Sequence, residues 1–456
     1  MRIKLDVPLR LFEIANICHG LCKTEEDTLI EYVCTDSREL REGDLFIAIK
    51  GERFDGNDYA EDALRAGAIP ICSIQTDKGI KVTDTLLCLS ELARLYKSKL
   101  SSLLYTVAIT GSVGKSTTKE FSSVLLSECF RVAKSHGNYN NLIGVCLSIL
   151  SADKDTEVLV LEFGMNSPGE ISILSKIAEP DIAIITNVGT SHIGKLGSRE
   201  AIAKAKLEIL DGMKEKRLII PFGEPLLSSG KAITFSTKNR QADYFLDGKY
   251  QKIDLFFDKR WLFDGNFSIS EGHLLGCLAP SLALCCELGI PLSKIRSGIK
   301  KINRSYIRQK FEKTGSLTLY SDCYNSSLES VSAALEYISS LALYPRKSAV
   351  LGSVLELGAM SKEIHREIGR LAAESKCRRL YLVGEFAYEI AKGAIDLDYD
   401  EKNILIYEKE ESYEKLVRDI CEKSLPGELI LFKGSRAMRL ENVVEAIKEI
   451  KKKTEE

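Results

Sequence analysis

A glycine-rich turn between a predicted strand and a predicted helix is the feature that most constrains the fold of this chain. Residues 106–109 predict a buried strand, and Gly111 and Gly114 permit backbone conformations that a side chain would forbid. Apolar side chains then recur at helical spacing over residues 121–125. A helix that begins directly after such a turn presents its first N–H groups and its positive dipole end to the turn. The segment therefore predicts an anion site at the end of a strand.

The residues that open this helix indicate that the anion is a phosphate group. Lys115 can neutralise its charge, and the Ser116 hydroxyl can hold Mg²⁺. The spacing Gly-x-x-Gly-Lys-Ser is shorter than the usual Walker motif, because Ile109 occupies the position of the first glycine. The alternative is an ordinary strand-to-helix turn with a surface lysine, but the flanking strand and helix and the paired threonines favour phosphate binding. We expect contacts from Gly111, Ser112, Gly114, Lys115, Ser116 and Thr117.

Length and composition predict several domains in a cytoplasmic protein. The 456 residues exceed what one core organises, and 45% of them are hydrophobic. The formal net charge of −2 gives no general attraction to nucleic acid or to anionic membranes, and we expect neither partner. No signal-peptide core and no bilayer-crossing apolar run is present. The 13 cysteines show no Cys-x-x-Cys spacing, so we expect reduced thiols rather than a zinc site at Cys18, His19 and Cys22.

The alternation of apolar runs and helical patterns predicts an α/β protein with three domains. A small α/β domain spans residues 1–100, where several short apolar runs, residues 85–89 among them, predict strands. Near-continuous apolar strands such as residues 158–162, which alternate with helices, indicate a parallel sheet in a central domain of residues 101–311. The strand–helix pattern restarts after that and predicts a second doubly wound α/β unit over residues 312–456.

Polar side chains that follow the central strands predict a metal–nucleotide site. Glu162 ends one predicted strand and His192 follows the next, at the sheet edge that carries the phosphate loop. The carboxyl ends of parallel strands are where open α/β sheets bind ligands. We therefore predict a Mg²⁺–nucleotide site with Ser116 and Glu162 as oxygen ligands.

One lysine of the helix predicted at residues 199–213 lies on its apolar face. Lys206 shares that face with Ile202 and Ile209, whereas Lys204 lies on the polar side. A long stem that carries the ammonium to solvent is the simpler interpretation. The alternative is a neutral lysine beside the metal site, which can react with CO₂ to form a carbamate and become a metal ligand.

The C-terminal strands also end in polar residues, which could face a nucleotide across an interdomain cleft. Asp322 and Asn325 follow the first of these strands, Glu356 follows the second, and residues 433–436 follow the last. In the central domain, three asparagines within residues 137–144 suit directed amide hydrogen bonds better than regular structure.

These motifs, in this order and spacing, resemble the Mur ligase family over nearly the whole chain. The resemblance implies an ATP-dependent enzyme that forms an amide bond in the peptidoglycan stem peptide. It also implies a small N-terminal uridine-nucleotide domain, a central P-loop ATPase-like domain and a C-terminal Rossmann-like domain. The matching segments are residues 35–38 and 51–56 (uridine-nucleotide domain), 110–118 (ATP loop), 137–144 (substrate motif), 162–170 and 186–192 (metal-site motifs), 203–209 (modified lysine), and 351–358, His365 and 433–436 (C-terminal signatures).

The C-terminal signatures are similar to those of the family member that joins D-alanyl-D-alanine to UDP-N-acetylmuramoyl-tripeptide. The resemblance implies these two substrates, ATP, two Mg²⁺ ions and a monomeric enzyme. It implies ATP contacts from Asp322 and Asn325, and a second Mg²⁺ held by His192 and by an N6-carboxylysine at Lys206. The catalytic residues implied are Lys115, His192, Lys206 and Arg308, and the substrate-binding residues are Ser37, Arg38, Asn138, Asn141, Lys433, Ser435 and Arg436.

Two departures from the family pattern keep other interpretations open. Cys277 stands where the family has an asparagine that helps to hold adenine, and Ser321 replaces an aspartate of the C-terminal run. One alternative is another amide ligase of the superfamily, either the third-residue-adding Mur ligase or a folylpolyglutamate synthetase. The other is a degenerate nucleotide-binding protein without turnover.

Overall fold

Three β-sheets, formed by consecutive parts of the chain, organise the molecule. The computed structural model describes residues 1–51, 54–227, 231–249, 252–267, 272–303, 310–408 and 412–455. Each sheet is flanked by helices, as expected for an α/β protein.

The first sheet contains six strands in the order β1-β3-β4-β5-β6-β2. Its core strands are parallel, and β1 adds antiparallel to β3 at the edge. The elements are β1 (Arg2–Arg10), α1 (Leu11–Ile17), β2 (Leu21–Cys22), β3 (Leu29–Cys34), β4 (Leu45–Ile47), α2 (Ala60–Arg65), β5 (Ile69–Cys72), β6 (Ile80–Lys81) and α3 (Thr85–Lys99).

Two expectations for this first part of the chain are wrong. Residues 85–89 begin α3 rather than a strand, because the Asp84 carboxylate accepts hydrogen bonds from the N–H groups of Leu86 and Leu87 and caps the helix. Cys18 and Cys88 are joined by a disulfide with their Cα atoms 4.9 Å apart, so the expectation of reduced thiols fails for this pair.

The second sheet contains nine strands in the order β15-β14-β13-β12-β11-β10-β7-β9-β8. The strands from β8 to β13 pair in parallel, and β13, β14 and β15 are antiparallel. The strands are β7 (Tyr105–Thr110), β8 (Val132–Lys134), β9 (Val158–Glu162), β10 (Ile182–Ile185), β11 (Arg217–Pro221), β12 (Ile233–Ser236), β13 (Tyr244–Lys249), β14 (Lys252–Phe257) and β15 (Arg260–Asn266).

The helices of this part connect the strands so that the chain changes direction beside β7. The chain passes from β7 to β8 and back to β9 on one side, and then crosses to β10 on the other. Ligands of such sheets bind where the strand order reverses, beyond the carboxyl ends of the strands. The helices are α4 (Lys115–Leu126), α5 (Leu142–Leu150), α6 (Glu170–Ala178), α7 (Ile193–Leu196), α8 (Arg199–Leu207), α9 (Gly272–Glu287) and α10 (Leu292–Lys301).

The third sheet contains six strands in the order β16-β17-β21-β18-β19-β20, all parallel except the edge strand β16. The elements are β16 (Lys310–Thr314), β17 (Leu317–Asp322), α11 (Leu328–Ser340), β18 (Lys347–Gly352), α12 (Ser361–Glu374), β19 (Arg379–Val383), α13 (Ala387–Ile395), β20 (Ile404–Tyr407), α14 (Tyr413–Lys423), β21 (Leu429–Lys433) and α15 (Leu440–Glu455). The predicted boundary between residues 311 and 312 would divide β16, which pairs with β17. We therefore propose that the third domain begins before Lys310.

Close packing joins the three parts of the molecule. The hydroxyl of Tyr96 on α3 donates to the carbonyl of Ala152 in the central part at 2.6 Å. On the opposite side, the N–H of Gly194 donates to the carbonyl of Glu356 at 2.9 Å, and a Cβ on Gly194 would lie 2.5 Å from the nitrogen of Gly358. Within the described ranges, no helix combines the length and the apolar character needed to cross a membrane.

Candidate active site

The two glycines of the phosphate loop are both required by its geometry. Gly111 has a φ of +151°, and a Cβ there would lie 1.8 Å from the Thr186 hydroxyl oxygen. Gly114 has a φ of +84° at the residue that precedes α4. These conformations aim the N-terminus of α4 at the carboxyl edge of the central sheet, as the sequence predicts.

Side chains that follow β10 hold the loop in shape. The Asn187 side-chain oxygen accepts hydrogen bonds from the N–H groups of Ser112 and Val113, both at 3.0 Å, and its amide nitrogen donates to the carbonyl of Val113 at 3.1 Å. The Thr186 hydroxyl donates to the same carbonyl at 2.6 Å. Asn187 was not among the predicted site residues, although its position directly after a predicted strand is a signal that could have identified it.

The Lys115 ammonium lies over this loop rather than in solvent. Its Nζ donates to the carbonyl of Gly111 at 2.8 Å and to that of Ser112 at 3.4 Å. Lys115, Ser116 and Thr117 also line a cavity of about 360 Å³ between the central and C-terminal parts. The arrangement provides a cation, hydroxyls and a helix N-terminus on one wall.

Glu162 is buried at the end of β9 and faces the same cavity. Its Oε1 accepts a hydrogen bond from the Asn140 amide at 3.0 Å, whereas its Oε2 has no hydrogen-bond donor among the described residues. The Lys119 ammonium lies 3.8 Å from this oxygen, which is an ion-pair distance but not a hydrogen bond, so the oxygen is left without a direct partner. The site therefore fits Mg²⁺, which prefers such oxygen ligands.

His192 follows β10 in a left-handed conformation, with a φ of 65°, and pairs with the C-terminal part. Its Nδ1 lies 2.7 Å from Oε2 of Glu356. Burial lowers the pKa of His192, Glu356 opposes this effect, and the nearby Lys115 and Lys206 side chains lower the pKa further. A neutral imidazole can coordinate a cation through Nε2, because Nδ1 is engaged by the carboxylate.

Lys206 lies on the buried face of α8, as its spacing predicts. Its side chain is 2% exposed, so the interpretation that it reaches solvent is wrong, while Lys204 is exposed. Burial, followed by the positive charge of Lys115, lowers the pKa of Lys206 well below 10.5. No carboxylate of the described chain forms an ion pair with it, and the described residues contain no cluster of three His, Cys, Asp or Glu side chains able to hold a metal.

The asparagine-rich loop contributes a different residue from those predicted. Asn140 lines the cavity and bonds to Glu162, whereas Asn138 is exposed. The Asn141 side chain accepts a hydrogen bond from the N–H of Gly144 at 2.9 Å and caps α5. The structure therefore gives Asn141 a capping role, and its contact with substrate stays a prediction.

The C-terminal part supplies the opposite wall of the cavity. Asp322, Asn325 and Lys433 line it together with Glu329, which accepts hydrogen bonds from the N–H of Thr190 at 2.7 Å and from its hydroxyl at 3.2 Å. Lys433 is 1% exposed, and its Nζ lies 3.0 Å from Oδ2 of Asp322 and donates to the carbonyl of Asn325 at 2.6 Å. Lys433 thus fixes the two residues predicted to contact the nucleotide.

Several predicted site residues lie outside this cavity. The Ser435 hydroxyl accepts a hydrogen bond from the N–H of Leu355 at 2.9 Å, and Arg436 lies 3.4 Å from Glu441. In the first part, the exposed Arg38 pairs with the Asp36 carboxylate, with Nε 2.8 Å from Oδ1, and Ser37 lies beside it in a short helical turn. None of these residues lines the cavity, and neither do Gly111, His192 and Lys206. Arg308 lies outside the described residues.

Cys277, which stands where the resemblance predicts an adenine-binding asparagine, contacts the phosphate loop. Its Sγ lies 3.8 Å from the carbonyl oxygen of Gly114 and lines the cavity with Phe235 and Leu274. Burial raises the pKa of the Cys277 thiol to about 11, so the thiol stays protonated at neutral pH. The replacement leaves an apolar wall next to the loop.

Comparisons with known proteins agree with this architecture. The model of the Mur ligase family catalytic domain matches residues 29–97, the Mur ligase middle domain matches residues 109–267, and the Mur ligase glutamate ligase domain matches residues 308–436. The chain is 36% identical to UDP-N-acetylmuramoyl-tripeptide–D-alanyl-D-alanine ligase from Bacillus subtilis, over 92% of this chain and 93% of the relative.

Solved structures give the same result along the whole fold. MurF from Acinetobacter baumannii superposes with a TM-score of 0.87 at 26% identity, covering 98% of this chain and 100% of the other. MurF from Thermotoga maritima, solved in complex with ADP, superposes with a TM-score of 0.79 at 31% identity, covering 92% of this chain and 98% of the other. From its matched domains, its curated relatives and its fold, the chain belongs to the Mur ligase family.

Proposed function

We propose that this protein is an ATP-dependent ligase that joins D-alanyl-D-alanine to UDP-N-acetylmuramoyl-tripeptide in the synthesis of peptidoglycan precursors. One observation carries the proposal: the phosphate loop and the buried Glu162 carboxylate face Asp322 and Asn325 of the C-terminal part across a single cavity. Such a cavity can hold a nucleotide between two domains while a second substrate reaches its terminal phosphate. The Bacillus subtilis relative bears this activity in its name.

The first step activates a carboxylate, which is a poor electrophile. An oxygen of the tripeptide carboxylate attacks the γ-phosphorus of ATP, the bond to the β–γ bridging oxygen breaks, and ADP leaves an acyl phosphate behind. Lys115 and the N-terminus of α4 face the transferring group and stabilise its negative charge. The wall of Phe235, Leu274 and Cys277 offers an apolar surface for the nucleotide base. We assign the γ-phosphate contact predicted for Arg308 to this step.

Mg²⁺, when bound, supplies positive charge that neutralises phosphate oxygens during the transfer. The residues that would hold a first ion are Ser116 and Glu162, whose Oε2 lacks a donor among the described residues. A second ion would be held by His192 and Lys206. The lowered pKa of Lys206 favours the neutral amine, which can combine with CO₂ and give N6-carboxylysine as an anionic ligand.

The second step forms the amide. The amine of D-alanyl-D-alanine attacks the acyl carbon, the bond from that carbon to the phosphate oxygen breaks, and the nitrogen loses a proton as phosphate leaves. The C-terminal part faces the reacting group through Asp322 and Asn325, which Lys433 holds in place. We assign substrate contacts to Ser37 and Arg38 in the first domain and to the predicted residues that remain, namely Asn138, Asn141, Lys433, Ser435 and Arg436.

The other interpretations of the sequence are less well supported. The 36% identical relative adds D-alanyl-D-alanine by its name, which favours that reaction over third-residue addition and folylpolyglutamate synthesis. The phosphate loop and Glu162 line one cavity, and Lys115 and Lys206 lie close enough to His192 to lower its pKa. A protein without turnover would not need this arrangement. We propose a monomer that acts in the cytoplasm, where ATP and UDP-linked precursors are available.

The experiment that tests the function is phosphate release with one component omitted at a time. The complete mixture contains the purified protein, Mg-ATP, UDP-N-acetylmuramoyl-tripeptide and D-alanyl-D-alanine. We expect release only from the complete mixture, with a product heavier by the dipeptide less one water. Nucleotide binding without release would support the protein without turnover, and release with a different amine would keep the mechanism but change the substrate.

A further inference from the structure

A buried lysine lies behind the active-site wall and has no part in the steps above. Lys119 is one turn after Lys115 on α4 and is 1% exposed. It does not line the cavity. A buried ammonium needs partners for its charge and its donors, and those partners indicate what the residue does.

The first partners are carbonyls of the segment that leads to the asparagine-rich loop. Nζ of Lys119 donates to the carbonyl of Ser135 at 2.7 Å and to that of Gly137 at 3.4 Å. Three residues after Gly137, the Asn140 amide donates to Oε1 of Glu162. Lys119 therefore fixes the backbone that brings Asn140 to Glu162.

The second partner is Glu162 itself. Nζ of Lys119 lies 3.8 Å from Oε2, the carboxylate oxygen that has no hydrogen-bond donor within the described chain. At this distance the ammonium supplies counter-charge without occupying the position of a hydrogen-bond donor. The Ser135 hydroxyl also accepts a hydrogen bond from the N–H of Glu162 at 3.2 Å. The segment of residues 135–140 therefore holds both the backbone and the carboxylate of Glu162.

A second carboxylate balances the other side of the lysine. Oε1 of Glu120 lies 3.4 Å from Nζ of Lys119, and Oε2 of Glu120 pairs with Lys134. Positive and negative side chains thus alternate inward in the order Lys134, Glu120, Lys119 and Glu162, and Lys134 is half-buried. This order gives Oε2 of Glu162 a counter-charge from Lys119 but leaves it without a hydrogen-bond donor among the described residues.

We propose that Lys119 is a positioning residue that holds Glu162 and the asparagine-rich loop in the arrangement needed for a divalent cation at the nucleotide phosphates. The helix whose N-terminus faces the phosphate thereby also sets the position of the metal-binding carboxylate. The inference rests on the proposed function only in taking Glu162 as the metal ligand.

The test measures Mn²⁺ affinity in the presence of ATP by electron paramagnetic resonance, using the full-length protein. We expect Lys119→Met to weaken Mn²⁺ binding by about 10- to 100-fold, as is typical when a residue behind a metal ligand is removed. ATP affinity without metal should change by less than about 3-fold, because Lys115 and the loop are intact. Lys134→Met is the matched control and should bind Mn²⁺ like the parent, since the Lys134 ammonium pairs with Oε2 of Glu120.

A coupling experiment separates positioning from general stability. In a Glu162→Gln background, the further change Lys119→Met should leave the residual Mn²⁺ affinity unaltered, since the ligand it positions is gone. Lys119→Arg, which keeps the charge and the donors, should recover part of the affinity. If Lys119→Met does not fold, the comparison of Lys119→Arg with the parent decides. An Arg variant in which Mn²⁺ affinity and ATP affinity fall together overturns the proposal.

Two further outcomes would overturn it. Parental Mn²⁺ affinity in Lys119→Met would show that Glu162 needs no support from this lysine. An equal loss of ATP affinity, Mn²⁺ affinity and Tm would show a purely structural role. If the parent binds Mn²⁺ and ATP but forms no product with D-alanyl-D-alanine, the proposed function fails while the Mn²⁺ comparison still decides the role of Lys119.

Discussion

At the scale of single residues, residue type and position predicted some members of the candidate site and missed others. Glu162 and Lys206 were predictable, since a carboxylate at the end of an apolar strand and a lysine on an apolar helix face are both unusual. Among the asparagines, however, only Asn140 reaches Glu162. The loop contains several of the same residue type, and the direction of the backbone decides which one enters the site. Lys119 was not predicted, because its partners Ser135, Gly137 and Glu162 come from other segments of the chain.

The phosphate assignment can be tested at Lys115. We expect Lys115→Ala to lower kcat by about 100- to 1,000-fold, because the variant loses a cation that stabilises the transferring phosphoryl group. The folded state should be retained, since Nζ bonds to the carbonyls of Gly111 and Ser112 at the surface of the cavity. Steady-state phosphate release and far-UV circular dichroism check both points, and near-normal turnover would refute the assignment.

Lys206 offers a prediction about stability and pH. Burial and Lys115 lower its pKa, so the folded protein binds fewer protons than the unfolded chain between the lowered pKa and 10.5. The stability of the unmodified protein therefore rises with pH across that window, and below it the buried charge opposes folding. In CO₂-free buffer with a chelator, we expect Lys206→Met to raise the Tm at pH 7. The rise should be about 2–4 °C for each kcal/mol gained in the free energy of unfolding.

The pH series provides the check on that prediction. The Tm advantage of Lys206→Met should shrink as pH rises from neutrality towards 10.5, the ordinary value of a lysine. Lys204→Met is the control, since Lys204 is exposed and should give the same Tm difference at every pH. A Lys206→Met variant that melts below the parent at pH 7 would contradict the prediction. The variant should also be inactive as a ligase.

At the scale of elements, strands and helices were predictable wherever an apolar pattern was long or was bounded by turns. The parallel strands β17 to β21 lie within residues 312–456, where the strand–helix pattern predicts a doubly wound unit. Residues 85–89 show the limit, because a short apolar run fits a strand and a helix start equally well. The Asp84 cap decides in favour of α3, and that helix then reaches the central part through Tyr96.

The two neighbouring asparagines before α5 provide a paired test at this scale. We expect Asn141→Ala to lower the free energy of unfolding by about 1 kcal/mol, because α5 loses its cap. Asn140→Ala should lower kcat more strongly than Asn141→Ala does, because it removes the donor to Glu162 in the site. Urea unfolding and phosphate release, measured on both variants, provide the comparison. Equal losses of kcat in the two variants would contradict the separate roles.

At the scale of the whole molecule, the parallel sheets and the ligand edge followed from the alternation of elements, but the interdomain contacts did not. The bond between His192 and Glu356 depends on two residues that both adopt left-handed backbone conformations, with φ values of 65° and 63°. Neither residue is a glycine, so their sequence positions give no sign of this geometry. We propose that the third domain begins before Lys310 rather than at residue 312, and the sequence gives little sign of this because an edge strand carries a weaker pattern than a buried one.

The contact between His192 and Glu356 predicts how the two parts cooperate. We expect Glu356→Gln to lower kcat by about 10- to 100-fold, because His192 loses the carboxylate that orients its ring. ADP affinity should change little, since the phosphate loop belongs to the central part. Isothermal titration and product formation measure the two effects. Lys195→Met is the control, because Nζ of Lys195 lies 3.7 Å from Oε1 of Glu356, the oxygen that does not pair with the His192 ring. An equal loss of kcat in Lys195→Met would contradict the role given to the His192 ring.

The glycine pair Gly194 and Gly358 has a consequence for inhibition. Their backbones approach so closely that even one methyl group would have to displace the opposing chain. A small rigid compound bound between these two backbones would therefore separate them and keep the C-terminal wall of the cavity away from the nucleotide. We expect such a compound to inhibit without competing with ATP, and to spare ATP-binding proteins that share only the phosphate loop.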